Sequence, residues 1–269
     1  MTTRRPHAIR PRLLRADDRR LTIVIVHPPR LGSALICTVV IRVPSSPSEP
    51  TRVLAIRDED PERPWSPLGR WWPESHGGVV GVRDVRAGGA WLAADADTGR
   101  LAVLLNRADE STIAESEIVS RGGLALESVA GRSPQNPRTH GFNLVEVQGG
   151  SAWVTSWDGR ELHRQKLVPG THMVAHDDVD DESTPRIARW LGEFSDADLT
   201  DPDRWWAPWI DVLASSASLE STDDRALIRD NRPHGYPTQS LLVCVASVTE
   251  TAVDVQYRAL REPGHWDGF

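Results

Sequence analysis

Four residues of this chain have the types and the placement for acyl-transfer chemistry: Cys37, Arg57, Asp58 and Asn106. Cysteine is the strongest common side-chain nucleophile, and its thiolate is favoured by a neighbouring cation such as Arg57. The planar fork of Arg57 suits a substrate carboxylate or phosphate, while Asp58 could orient an amine or hold Arg57 in place. Asn106 has an amide N–H to offer to an oxyanion. Each also has a plain structural role available: a buried cysteine, an exposed ion pair at a turn, a capping asparagine.

A second cluster, His172 and His176 followed by Asp177, Asp178, Asp180 and Asp181, has the four-residue spacing that puts two imidazoles on one helix face. Pro169-Gly170 just upstream and the run of acids favour a loop over a helix, so the acids read as a solvated turn and no metal site is expected.

The elements around the first four residues predict how they meet. Cys37-Thr-Val-Val-Ile-Arg-Val43 and Thr51-Arg-Val-Leu-Ala-Ile56 are rich in β-branched residues and flank a Pro/Ser loop over 44–50, the signature of a hairpin. In an antiparallel pair the end of the second strand lies opposite the start of the first, which places Arg57 and Asp58 beside Cys37. A second hairpin spans 88–94 and 100–105 and ends at Asn106. A third joins 142–147 to 151–156 through Gly149-Gly150, and a further strand covers 161–167. Residues 122–130 read as a helix, with Leu124, Leu126 and Val129 on one face. Residues 184–218 read as mainly helical, with Ile187, Trp190 and Leu191 spaced for one face. Two apolar strands, 240–248 and 251–257, close the chain. The order strands, helices, strands predicts an α+β sandwich of mainly antiparallel sheets with helices outside, and not a doubly wound fold.

Composition narrows the classes further. A net charge of −7 and a pI near 5.7 argue against nucleic acid as a partner. No apolar run reaches the ~20 residues that cross a bilayer, so no integral membrane segment is expected. The cysteines, Cys37 and Cys244, are too few for a disulfide framework, which predicts a reducing, cytoplasmic setting. Residues 1–36 differ from the rest: eight arginines face only Asp17 and Asp18. They read as a basic, disordered extension, and residues 37–269 as a single domain. Eleven tryptophans, notably Trp71-Trp72 and Trp205-Trp206-Ala-Pro-Trp209, suit either helix-to-sheet packing or an apolar ligand pocket.

Taken together, the blocks resemble one family. Val53-Leu-Ala-Ile-Arg-Asp-Glu59, Gly88-Gly-Ala-Trp-Leu92, Gly99-Arg-Leu-Ala-Val-Leu-Leu-Asn106, Ser120-Arg-Gly122, Gly141-Phe-Asn-Leu144, Pro169-Gly-Thr-His172 and Tyr236-Pro-Thr-Gln-Ser240 are similar, in order, to those of the NRDE-motif family, also called the transport and Golgi organisation family. Ile56 stands where the signature has Asn, Ala90 where it has Thr, and His176 where an Asn is expected. The resemblance implies a four-layer αββα sandwich like that of the N-terminal-nucleophile hydrolases. There Cys37 would be the first mature residue and its α-amine the base. It also implies a small-molecule acyl or amide substrate cleaved through an acyl-enzyme, with no cofactor. The alternative is a non-catalytic carrier of a lipid-like or haem-like apolar ligand in the same cleft. The 36 residues ahead of Cys37 bear on the first reading, because an acylated backbone nitrogen cannot act as a base.

Overall fold

A computed structural model describes residues 37–269; the basic extension over 1–36 lies outside the described residues. Twelve strands and three α-helices succeed one another among the described residues. The strands are β1 Thr38–Val43, β2 Thr51–Glu59, β3 Trp65–Gly69, β4 Val79–Asp84, β5 Ala90–Asp95, β6 Arg100–Asn106, β7 Phe142–Gln148, β8 Ser151–Trp157, β9 Leu162–Lys166, β10 Gly170–Val174, β11 Gln239–Val248 and β12 Val253–Ala259. The helices are α1 Leu124–Val129, α2 Pro185–Asp196 and α3 Ala207–Ser216.

The strands form two antiparallel sheets. One has the order β10-β1-β2-β11-β12, the other β3-β4-β5-β6-β7-β8-β9. Alternation of side chains sorts each strand's residues between two faces. Val39, Ile41, Val53 and Ala55 of the first sheet meet Leu92, Val103, Val145 and Val154 of the second in one buried cluster, so the main core lies between the sheets. The opposite face of the first sheet, Val40, Leu54, Ile56, Val243 and Val245, is covered by Ile187, Trp190 and Phe194 of α2 and Trp209 and Leu213 of α3. The outer face of the second sheet, including Ala93, Ala102 and Leu144, is covered by Ala125, Leu126 and Val129 of α1. Most of the tryptophans singled out above are packing residues: Trp205 and Trp209 in the helix-to-sheet layer, Trp72 under the second sheet.

The hairpins expected from sequence are present, with Gly149 at φ +54 in the β7–β8 turn, where a side chain would be strained. Three strands were not anticipated. β3 contains Pro67, which removes a ladder donor, and it sits at an edge of its sheet where that donor is dispensable. β4 is broken in pattern by Gly81, whose Cα approaches Leu92 so closely that a Cβ would lie 2.4 Å from that carbonyl oxygen. β10 follows Pro169 and pairs with β1 at the edge of the five-stranded sheet. His172 therefore stands in a strand and not in a loop, and His176 in the bends beyond it, so the two share no helix face. No helix among the described residues is long and apolar enough to cross a membrane.

Candidate functional site

The β1–β2 pairing sets Thr38 opposite Ile56, which brings Cys37, one residue earlier, level with Arg57. The Cys37 thiol, 4% exposed, donates to the backbone carbonyl of Asp58 at 3.6 Å. Cys37 and Arg57 share the parity of Val39 and Ala55 and face the space between the sheets. Asp58 has the parity of Leu54 and Ile56, and its carboxylate lies on the helix-covered side, where Oδ1 accepts from Ser240 Oγ at 2.6 Å. The three residues meet at one cleft, but the pleat turns their side chains apart: the sulfur and the guanidinium share one face, and the carboxylate is behind them. Burial pushes Asp58 up to about 6, against the opposing pull of Arg186, Ser240 and Arg229.

A cleft of about 330 Å³ opens beside Cys37, and Arg57, Asp58 and Asn106 line it too. Asn106, half-buried at the end of β6, reaches it because β6 pairs with β7 to its last residue. Glu59, Arg63, Asp84, Ser120, Arg121 and His140 add a charged and polar wall that sequence reasoning did not assign to the site. Arg63 donates to Asp84 Oδ2 at 2.7 Å and lies 3.7 Å from Glu59. Arg121 donates to the carbonyl of Gly141 at 2.6 Å. His140 sits 2.5 Å from Asp109 and 3.3 Å from Glu115.

Arg121 gets there through a backbone contact. The β4–β5 turn and the 3-10 turn Arg121–Gly123 touch at Gly89 and Gly122, and a Cβ on Gly89 would stand 2.0 Å from the Gly122 oxygen. Trp91 reaches the cleft through a different irregularity. Val82 pairs with Leu92 but Arg83 with Ala90, so Trp91 is the extra residue of a β-bulge and is turned toward the cleft wall. Asn143 ties the sheets together near the same end: its Nδ2 donates to the carbonyls of Ala175 and Asp177 at 3.0 and 2.8 Å, and its Oδ1 accepts from Ser156 at 2.7 Å.

The thiol itself is not activated by its surroundings. Burial pushes Cys37 up to about 12, with Asp58 adding in the same direction; the pull of Arg57 toward the thiolate acts as expected but is outweighed. The expectation that Arg57 lowers this thiol overall is corrected by that balance. Cys244, also free, lies in the core opposite Ala55, where burial raises it as well, and it takes no part in the cleft.

A sheet-dominated α+β protein with a thiol at the head of its first strand and a charged cleft beside it is the class these observations define. Within that class a sequence model of one family, transport and Golgi organisation 2, matches residues 36–243, and the chain belongs to that family. The match begins one residue before Cys37 and includes every cleft residue named above. No curated protein matches the chain.

Proposed function

We propose that the chain is a latent cysteine hydrolase of amide or thioester bonds, built on an αββα sandwich of the N-terminal-nucleophile type and competent once Cys37 is the first residue. The observation that carries this is the position of Cys37: it heads β1, lines the cleft, and shares its face with Arg57. The two sheets flanked by helices α2 and α3 on one side and α1 on the other support the sandwich type.

A thiol raised to about 12 is protonated at neutral pH and needs a base at hand. The α-amine of a free Cys37 is that base. It takes the thiol proton as Sγ attacks the carbonyl carbon, and Asn106 with nearby backbone amides holds the oxyanion. Collapse expels the amine or thiol, which leaves with the proton, and water then cleaves the thioester on Cys37. While residues 1–36 are attached the nitrogen is an amide without basicity, which is why the chain is read as latent.

The cleft wall argues for this reading over an apolar carrier. Arg57, Glu59, Arg63, Asp84 and Arg121 line it, and laying a hydrocarbon tail or a porphyrin ring against such groups costs desolvation that only the ligand's own carboxylates would offset. The test is covalent trapping. Incubated with a panel of thioesters and activated amides, protein whose first residue is Cys37 should gain the mass of one acyl group on Cys37, and Cys37→Ala should gain none. Adducts that persist in Cys37→Ala would remove the nucleophile from this site; tight binding of apolar ligands with no adduct would favour the carrier.

A further inference from the structure

Arg57 is 2% exposed, yet among the described residues its guanidinium makes no hydrogen bond; its contacts are Glu59 at 3.5 Å and the Trp65 ring at 6.0 Å. Its Nη1 is buried without a partner. The indole Nε1 of Trp91, on another strand of the other sheet but lining the same cleft, is also a buried donor without an acceptor. Buried donors are almost always satisfied, and a buried cation with unused N–H groups is costly to keep. Two such donors converging on one cleft mark a place made for an acceptor.

The charge count indicates which acceptor. Arg57, Arg63 and Arg121 line the cleft with Glu59, next to Arg57 and Arg63, and Asp84, bonded to Arg63. Glu115 is largely exposed and paired with His140, and Asp58 lines the cleft while its Oδ1 accepts from Ser240 behind the sheet. With Glu59 and Asp84 paired to these arginines and Asp58 close behind Arg57, little positive charge is left over, which favours a singly charged acceptor over a dianionic phosphate.

We infer that the cleft binds a carboxylate between Arg57 and the indole N–H of Trp91, with Arg121 on the opposite wall, so that the substrate class is an amide or thioester carrying one carboxylate close to the scissile bond. This rests on the reading of the cleft as the reaction site. Trp91 is a positioning residue for the carboxylate, and its place in a bulge is what aims it there.

The test titrates the full-length protein with N-acetylglycine, its neutral amide, and inorganic phosphate. Binding is followed by calorimetry and by the indole N–H resonance of Trp91, assigned by its loss in Trp91→Phe. N-acetylglycine should shift that resonance saturably, the amide should not, and Arg57→Met and Trp91→Phe should each weaken affinity about tenfold or more. If Arg57→Met fails to fold, Trp91→Phe carries the test alone. An unmoved indole, equal binding of the neutral amide, or tighter binding of phosphate would each overturn the inference. Repeating the titration in Cys37→Ala tests the subsite without the nucleophile: binding kept there while protein whose first residue is Cys37 never turns over sinks only the hydrolase, and turnover by that protein without carboxylate binding sinks only the subsite.

Discussion

Gly89→Ala should damage the cleft from a distance. The added methyl would sit 2.0, 2.1 and 2.4 Å from the oxygen, carbon and Cα of Gly122, all backbone atoms that cannot swing aside. Side-chain contacts of that kind do not fall below 3.0 Å, so the β4–β5 turn and the Arg121–Gly123 turn must part by ~1 Å or more, at an overpacking cost of about 1–3 kcal/mol. For a domain of this size that is a drop in Tm of roughly 2–12 °C. The same displacement carries Arg121 off the cleft wall, and misplacing a substrate-positioning group by ~1 Å costs up to about 100-fold in rate. Gly123→Ala is the control: nothing lies within 4 Å of its Cβ and its φ is −76, so stability should stay level or rise by about 0.4–1 kcal/mol. Thermal unfolding by circular dichroism and N-acetylglycine affinity read both effects. A Gly89→Ala protein with unchanged Tm and affinity would refute the claim that this glycine contact positions Arg121.

Three further outcomes follow from the site. At pH 7.5 in the full chain, iodoacetamide should label Cys37 about 1,000-fold or more slower than a free thiol of pKa ~8.5, as timed by peptide mass spectrometry; labelling at the free rate would show that burial does not govern this thiol. Asp58 has its folded pKa raised to about 6 from 3.8, so the folded protein holds that proton more tightly. Its contribution to stability is therefore greatest below about 4 and is lost as pH rises through about 6, by at most about 3 kcal/mol. In Asp58→Asn that falling limb should disappear from urea unfolding measured between pH 4 and 7, and an identical slope in both proteins would contradict it. Asn143→Ala leaves two carbonyls and a hydroxyl without their partner and should lower stability by about 2–4 kcal/mol in chemical denaturation; a loss under 0.5 would remove Asn143 as the tie between the sheets.

Much of this arrangement was readable from residue order, because hairpins announce themselves locally. β-branched runs on either side of a turn predicted β1 with β2, and antiparallel pairing then put Arg57 level with Cys37. The same alternation already implied that consecutive residues Arg57 and Asp58 face opposite ways, a signal present in the sequence and not used. Trp91 and Arg121 stand in blocks that carry the family resemblance, but no local pattern placed them at the cleft. One depends on a single-residue bulge between β4 and β5, the other on two glycine backbones touching across the fold, and neither leaves a periodic trace. β3 and β10 carry no clear strand signature in the sequence because Pro67 and Pro169-Gly170 interrupt it; both strands are edges, where a missing donor costs little. The sign of the Cys37 shift was missed for a related reason: charge is visible in sequence, but the depth of burial that outweighs it is not.

The most direct test places a specific protease site ahead of Cys37 in the full-length chain, lets the protein fold, and measures turnover of an S-acyl thioglycolate, a thioester whose leaving group carries the carboxylate, before and after the cut that leaves Cys37 first. The account predicts no turnover before cleavage, turnover after it, and none after cleavage of Cys37→Ala. Equal turnover before and after the cut, or none in either state with the acyl group never found on Cys37, would contradict it.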